Sequence, residues 1–143
     1  MADAVYEKKD PGLFATGLAR GPWDPEAQHG GAPAAVLMRA FEACEPSPEL
    51  ALARVTYELL RPVPLGELHP SASLLRPGRR VQLLEGSLVT GDGTEVVRAR
   101  ALRVARADVD AGAATPPPPG PENGRPNDFA RGEQELFPTD AME

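Results

Sequence analysis

A chain of 143 residues with 41% hydrophobic content can bury one modest core and is too short for two. Its net charge of −6 speaks against nucleic acid, whose affinity rests on phosphate contacts. No apolar run is long enough to span a bilayer and no leader-like start is present, so a soluble, cytoplasmic protein without membrane contact is expected. Cys44 is alone, and His29 and His69 stand far apart without ligand spacing, so neither a disulfide, a metal nor a cofactor is expected.

In chain order, Leu13–Leu18 reads as a first strand, since Phe14 and Thr16 favour extended backbone. The pair Gly30-Gly31 then precedes Pro33, which suits a first helical turn because its missing N–H would have no partner there. The helix should run through about Cys44 and stop before Pro46. Val36, Leu37, Ala40, Phe41 and Cys44 make a wide apolar arc opposite Met38, Arg39, Glu42 and Glu45, the pattern of a largely buried helix.

Val55, Tyr57 and Leu59 alternate with Arg54, Thr56 and Glu58, as in a half-buried strand. Leu68–Leu75 is a weaker strand whose Pro70 points to an edge or a bulge, and Pro77-Gly78 marks a turn. Val81–Val89 and Glu95–Val104 are longer strands joined by the hairpin signal Gly91-Asp92-Gly93. In the last of them, Val97, Ala99 and Ala101 share a face. The apolar positions then switch parity at Leu102 and Val104, which implies a bulge or a strand covered on both sides. Tight antiparallel connections around one apolar helix define an α+β fold, a sheet wrapped on a helix, whose open edge a second sheet could cover.

The globular domain is expected to span 1–106. Residues 107–143 contain Pro116 to Pro119 and Pro121 and read as a Pro-rich tail, disordered or docked on a partner. Charge follows the same division: residues 54–106 carry nine Arg against five acids, while 107–143 carry two bases against eight acids. The central arginines either line a solvated strand face or meet a small anionic ligand.

The stretch Gly21-Pro22-Trp23-Asp24-Pro25-Glu26-Ala27-Gln28-His29-Gly30-Gly31 carries the chemistry. Glycines at a helix entrance let another molecule approach the backbone, and the first helical N–H groups lack internal partners. With the positive end of the helix dipole, such donors can polarise a carbonyl or hold an oxyanion. The bland alternative is a plain loop-to-helix entry. His29 either braces this loop or touches the ligand.

The segments "GPWDPEAQHGGAPAAVLMRAFE", "RVTYELLRPVPLGEL", "LLRPGRRVQLLEGSLV" and "RARALRV" together resemble the N-terminal half of the acyl-CoA thioesterase-like double-hotdog proteins, from about Phe14 to Arg106. Even "ELFPTDAME" looks like the connection into a second hotdog, a half this sequence does not contain. The resemblance implies a hotdog fold, acyl-CoA or CoA as ligand, a role in lipid metabolism, and pairing as a homodimer or with a second hotdog domain. It implies that His29, Gly30 and Gly31 face the thioester carbonyl, and that Arg76, Arg79 and Arg80 receive the CoA phosphates; "RPGRR" as a solvated turn stays the alternative.

Thioester hydrolysis needs a carboxylate beside the carbonyl carbon. Single-domain relatives carry it two turns into the helix, where Met38 stands here; in double-hotdog relatives it belongs to the C-terminal half. Asp24 and Glu42 are the remaining candidates, against turn formation for Asp24 and an exposed helical acid for Glu42. The sequence lacks the Asp-x-Asn-Pro-x-His of hotdog hydratases and the Gly-x-Ser-x-Gly elbow of serine hydrolases. Two readings follow: a thioesterase, or a non-catalytic acyl-binding or assembly module.

Overall fold

The structure, a computed structural model, describes residues 4–108 together with Gly112 and Pro116; the rest of the expected tail lies outside the described residues. Six strands and one long helix follow in order: β1 (Tyr6–Lys9), β2 (Gly12–Ala15), a 3-10 turn at Gly17–Ala19, α1 (Gly31–Ala43), β3 (Leu50–Leu59), β4 (Gly66–Arg76), β5 (Val81–Thr90) and β6 (Glu95–Ala105). They form a single antiparallel sheet of order β1-β2-β4-β5-β6-β3 with α1 against one face.

The expected first strand is two features. Extended backbone stops at Ala15, because the Thr16 hydroxyl accepts from Leu18 N–H (3.2 Å) and turns Gly17–Ala19 into a 3-10 turn. Ahead of it, the short Lys-bearing β1 adds an edge to β2. The helix starts at Gly31, keeping Pro33 in its first turn, and buries Ala32, Pro33, Val36, Leu37 and Phe41. Leu37 and Phe41 meet Leu68, Leu84, Leu88, Val97, Ala99 and Ala101 from the sheet. Contact is closest at Gly86, where a Cβ would lie 2.9 Å from two Phe41 ring carbons and from Ser71 O. Only glycine lets the ring rest on the strand there.

Pro70 lies in β4, between other strands, yet β2 covers β4 only from Gly66 to Leu68. Beyond that point β4 is a local edge among the described residues, which is what proline tolerates. In the β5–β6 hairpin, hydrogen bonds from the Thr90 hydroxyl (2.5 Å) and Thr94 N–H (3.1 Å) hold the Asp92 carboxyl below the usual carboxylate range. Gly93 takes the left-handed φ of +87° that this turn requires.

The parity switch expected in β6 does not occur. Val97, Ala99, Ala101 and Arg103 continue on the buried side, leaving Leu102 and Val104 half-exposed on the other; the irregularity sits in β3, between Leu52 and Arg54. Arg103 thus points a guanidinium into the interior, only 3% exposed. It donates to Phe41 O, to Cys44 O (2.7 Å), to Glu45 O (3.0 Å) and to Gln82 Oε1 (3.2 Å). The last carbonyls of a helix have no internal partners and carry the negative end of its dipole, so one buried cation satisfies both.

The helix ends over Cys44, half-buried, and Glu45, whose φ of +40° is left-handed. A side chain there is strained where glycine is not. Glu45→Gly should therefore raise stability by about 0.5–1 kcal/mol, read as a higher midpoint in urea unfolding.

Candidate functional site

The loop before α1 is clamped from several sides. His29 N–H donates to Ala19 O (2.9 Å), Gln28 N–H to Val63 O (2.8 Å), Leu65 N–H to Glu26 O (3.1 Å) and Gly21 N–H to Ala27 O (2.8 Å). Gly21 is closely packed, since a Cβ there would lie a tight 3.1 Å from His29 N. The buried Gln28 side chain adds the firmest tie: Nε2 donates to Pro64 O (2.7 Å), and Oε1 accepts from the Tyr6 hydroxyl. Burial pushes the Tyr6 hydroxyl well above the usual phenol range, keeping it a neutral donor. A residue of β1 thereby braces the glycine entrance.

Within that frame the first-turn donors divide unevenly. Gly31 N–H donates to His29 Nδ1 (3.1 Å) and Ala32 N–H to His29 O (3.0 Å), while Pro33 has no N–H. An imidazole that accepts at Nδ1 carries its proton on Nε2 when neutral. Gly30 N–H is the entrance amide without an acceptor among the described residues. His29 is thus a brace for Gly31, and Gly30 holds the free donor.

Gly30 opens onto a cleft of about 580 Å³ lined also by Trp23, Asp24, Leu59, Leu60 and Pro62. Trp23 is 91% exposed and Leu59 56%, so the apolar wall faces solvent in a single chain. It adjoins the outer edge of β3, which among the described residues carries no strand beyond it in the sheet. Asp24 lies in the cleft, its Oδ1 accepting from Glu26 N–H (2.9 Å) in a turn.

Glu42 is elsewhere. It stands twelve positions beyond Gly30, about 18 Å along the axis. It lines a different hollow with Met38, Leu50, Leu52, Arg103 and Arg106. Met38 lies against Tyr57, whose hydroxyl donates to Ala34 O (3.1 Å) and is raised by partial burial.

The arginine turn is further still. Ala105 N–H donates to Arg80 O (2.8 Å), whereas Leu60 N–H donates to Val96 O (3.0 Å) beside the glycine entrance. The two sites occupy opposite ends of β6, roughly 27 Å apart at the usual strand rise. Arg76, Arg79 and Arg80 are all exposed. Within one chain the structure brings Asp24, His29, Gly30 and Gly31 together, and leaves Glu42 and the arginines away from them. Among the described residues no cluster of three or more His, Cys, Asp or Glu could hold a metal, and no helix is long and apolar enough to cross a membrane.

A central helix wrapped by this sheet is the hotdog fold, and solved structures of that class superpose on it. A Bacillus halodurans protein crystallised with CoA aligns at 18% identity and a TM-score of 0.55, covering 64% of this chain and 67% of its own. The Escherichia coli PaaI protein of the phenylacetic acid degradation operon gives 17% and 0.56, covering 66% and 71%; a Haemophilus influenzae thioesterase gives 16% and 0.55, covering 69% and 75%. Among curated proteins, none matches closely enough to count as a relative. Residues 19–104 match the model of the acyl-CoA thioesterase N-terminal domain, and the chain belongs to that family.

Proposed function

We propose that this domain binds acyl-CoA with the thioester carbonyl on Gly30 N–H, and that its site is completed across β3 by a second hotdog unit, either another copy or a separate half. The free Gly30 donor inside a cleft that opens at an unpaired sheet edge carries this reading. Two β3 strands paired antiparallel about a twofold axis would set the Leu50 end of one unit beside the Leu59 end of the other. One unit's arginine turn and Glu42 would then stand on the same side as the other's glycines. Arginine's planar fork suits CoA phosphates, and the Bacillus halodurans relative was crystallised with CoA. Covering β3 would also bury Leu59 and Leu60 and remove an open edge.

One observation favours binding without turnover: Met38 occupies the helix position where a carboxylate would serve, and Asp24 is the cleft's own acid but is engaged in a turn. On the proposed reading the second unit supplies the base. Saturating CoA or acyl-CoA should raise the melting temperature by about 10 °C, the shift given by roughly 2.7 kcal/mol at a hundredfold excess over Kd. Arg79→Glu together with Arg80→Glu should remove most of that shift. No stabilisation by acyl-CoAs of any chain length, or a stable monomer by sedimentation in their presence, would overturn the reading. A thiol-release assay separates hydrolysis from binding alone.

A further inference from the structure

Among the described residues the sheet ends in β1 on one side and β3 on the other, and the two edges are unlike. β1 is four residues long and carries Lys8 and Lys9, the kind of edge that resists further pairing. β3 is ten residues long, holds neither lysine nor proline, and leaves Leu59 exposed at its end. An edge of that kind invites another strand.

Its outward main-chain groups can be named. Leu60 N–H donates to Val96 O (3.0 Å), so Glu58, Thr56 and Arg54 turn their main-chain groups towards β6, and Val55, Tyr57 and Leu59 turn theirs outward. The side chains of Arg54, Thr56 and Glu58 lie across from Leu102, Arg100 and Arg98, on the face away from α1, and all three are exposed. Ion pairs on that face join Arg98 to Glu95 (2.6 Å) and Arg100 to Glu85 (3.9 Å). Neither pair includes Arg54 or Glu58, although Glu58 has the positive Arg98 as a neighbour. The edge strand therefore carries a cation and an anion four positions apart, with Thr56 midway.

That spacing selects a register. In two copies of β3 paired antiparallel about a twofold axis at Thr56, each Arg54 stands opposite the other copy's Glu58. Each Val55 then exchanges main-chain hydrogen bonds with the other copy's Tyr57. A slip of two residues loses both charge pairs. A slip of four sets Arg54 on Arg54 or Glu58 on Glu58, like charges that repel.

We propose that the second unit is another copy of this chain, joined through β3 in this register. This rests on the two-unit reading above and names the partner that reading leaves open. The register also brings Leu59 and Leu60 of each glycine cleft beside Ala53 and Leu52 of the other copy, and Leu52 lines the hollow of Met38 and Glu42. Each carbonyl site is then walled by both chains, twice per dimer.

Sedimentation equilibrium of the full chain tests it. Arg54→Glu places an acid opposite Glu58, and Glu58→Arg places a base opposite Arg54. Each alone should raise the dimer dissociation constant about tenfold, or ~1.4 kcal/mol. An equimolar mixture of the two variants should form a heterodimer as tight as the native dimer, and one chain carrying both exchanges should pair with itself as tightly. A native chain that is monomeric at every concentration, a dimer indifferent to both exchanges, or a mixture no tighter than its components would overturn the proposal. Melting shifts with acyl-CoA on the same samples keep the two readings apart. A shift retained beside an indifferent dimer sinks the self-pairing alone, and a shift absent from a dimer that obeys the exchanges sinks the carbonyl site alone.

Discussion

Arg103→Met should cost about 3 kcal/mol of folding stability and lower the melting temperature by 10 °C or more. The side chain is buried, and with it Phe41 O, Cys44 O and Glu45 O lose a charged donor together, Phe41 O in a buried position and the other two in part-buried ones. A hydrogen bond to a charged group contributes about 1.5–3 kcal/mol, and an unsatisfied buried acceptor adds its own desolvation cost. Methionine refills the volume, so the loss measured is chiefly electrostatic. For a domain of this size each kcal/mol moves the midpoint by about 4–8 °C. Urea unfolding with an unchanged slope would show that the folded state alone was affected. A loss under 1 kcal/mol would mean that water reaches the helix end and that the guanidinium is not its cap.

On the proposed pairing with a second unit, Gly30→Pro should lower the rate of acyl-CoA hydrolysis by about 10²–10³-fold, the usual effect of deleting one oxyanion donor. The substitution replaces the N–H by the ring Cδ, so donor and open space are lost together. Gly30 sits at φ −57°, within proline's range, and the nearest atom to an added Cβ is Leu59 Cδ1 at 3.5 Å, an ordinary contact. Gly30→Ala supplies the control, adding the same carbon while keeping the donor, and should retain activity within a few-fold. Equal losses in both variants would point to crowding, and no loss in either would remove Gly30 from the chemistry. Because Gly31 N–H is already held by His29 Nδ1, the same exchange at Gly31 would mix two effects.

The helix and four of the strands were legible because each is governed by its own neighbours in sequence. Val36, Leu37 and Phe41 announce a buried face, and Gly30-Gly31 and Pro46 punctuate it; Val55, Tyr57 and Leu59 alternate as a pleat demands. What escaped was set by contacts between distant residues. β1 is four residues long with two lysines, and only β2 makes it a strand. Arg103 reads as a solvent-facing charge unless the parity of Val97, Ala99 and Ala101 is carried one step further, which would have found it. The Tyr6–Gln28 tie joins residues 22 positions apart and leaves no local signature.

Of the candidate site, the sequence marked the glycine entrance and no more. A glycine pair before a helix marks backbone donors, but which donor is free depends on where the His29 ring turns, and that is settled by packing. The separation between the glycines and "RPGRR" follows from strand direction alone, once β4 and β5 are seen to run the length of the sheet.

The contact of Phe41 with Gly86 has a further consequence, for how this domain can change over evolutionary time. The two residues are far apart in the chain, yet the ring occupies the space any side chain at 86 would need. Neither position is free to drift: losing the ring leaves a void, and a side chain at 86 would meet the Ser71 backbone oxygen at 2.9 Å even with the ring gone. Descendants of this sequence should therefore keep the glycine for as long as this stretch of sheet keeps its shape, and the ring for as long as nothing else fills the space above it.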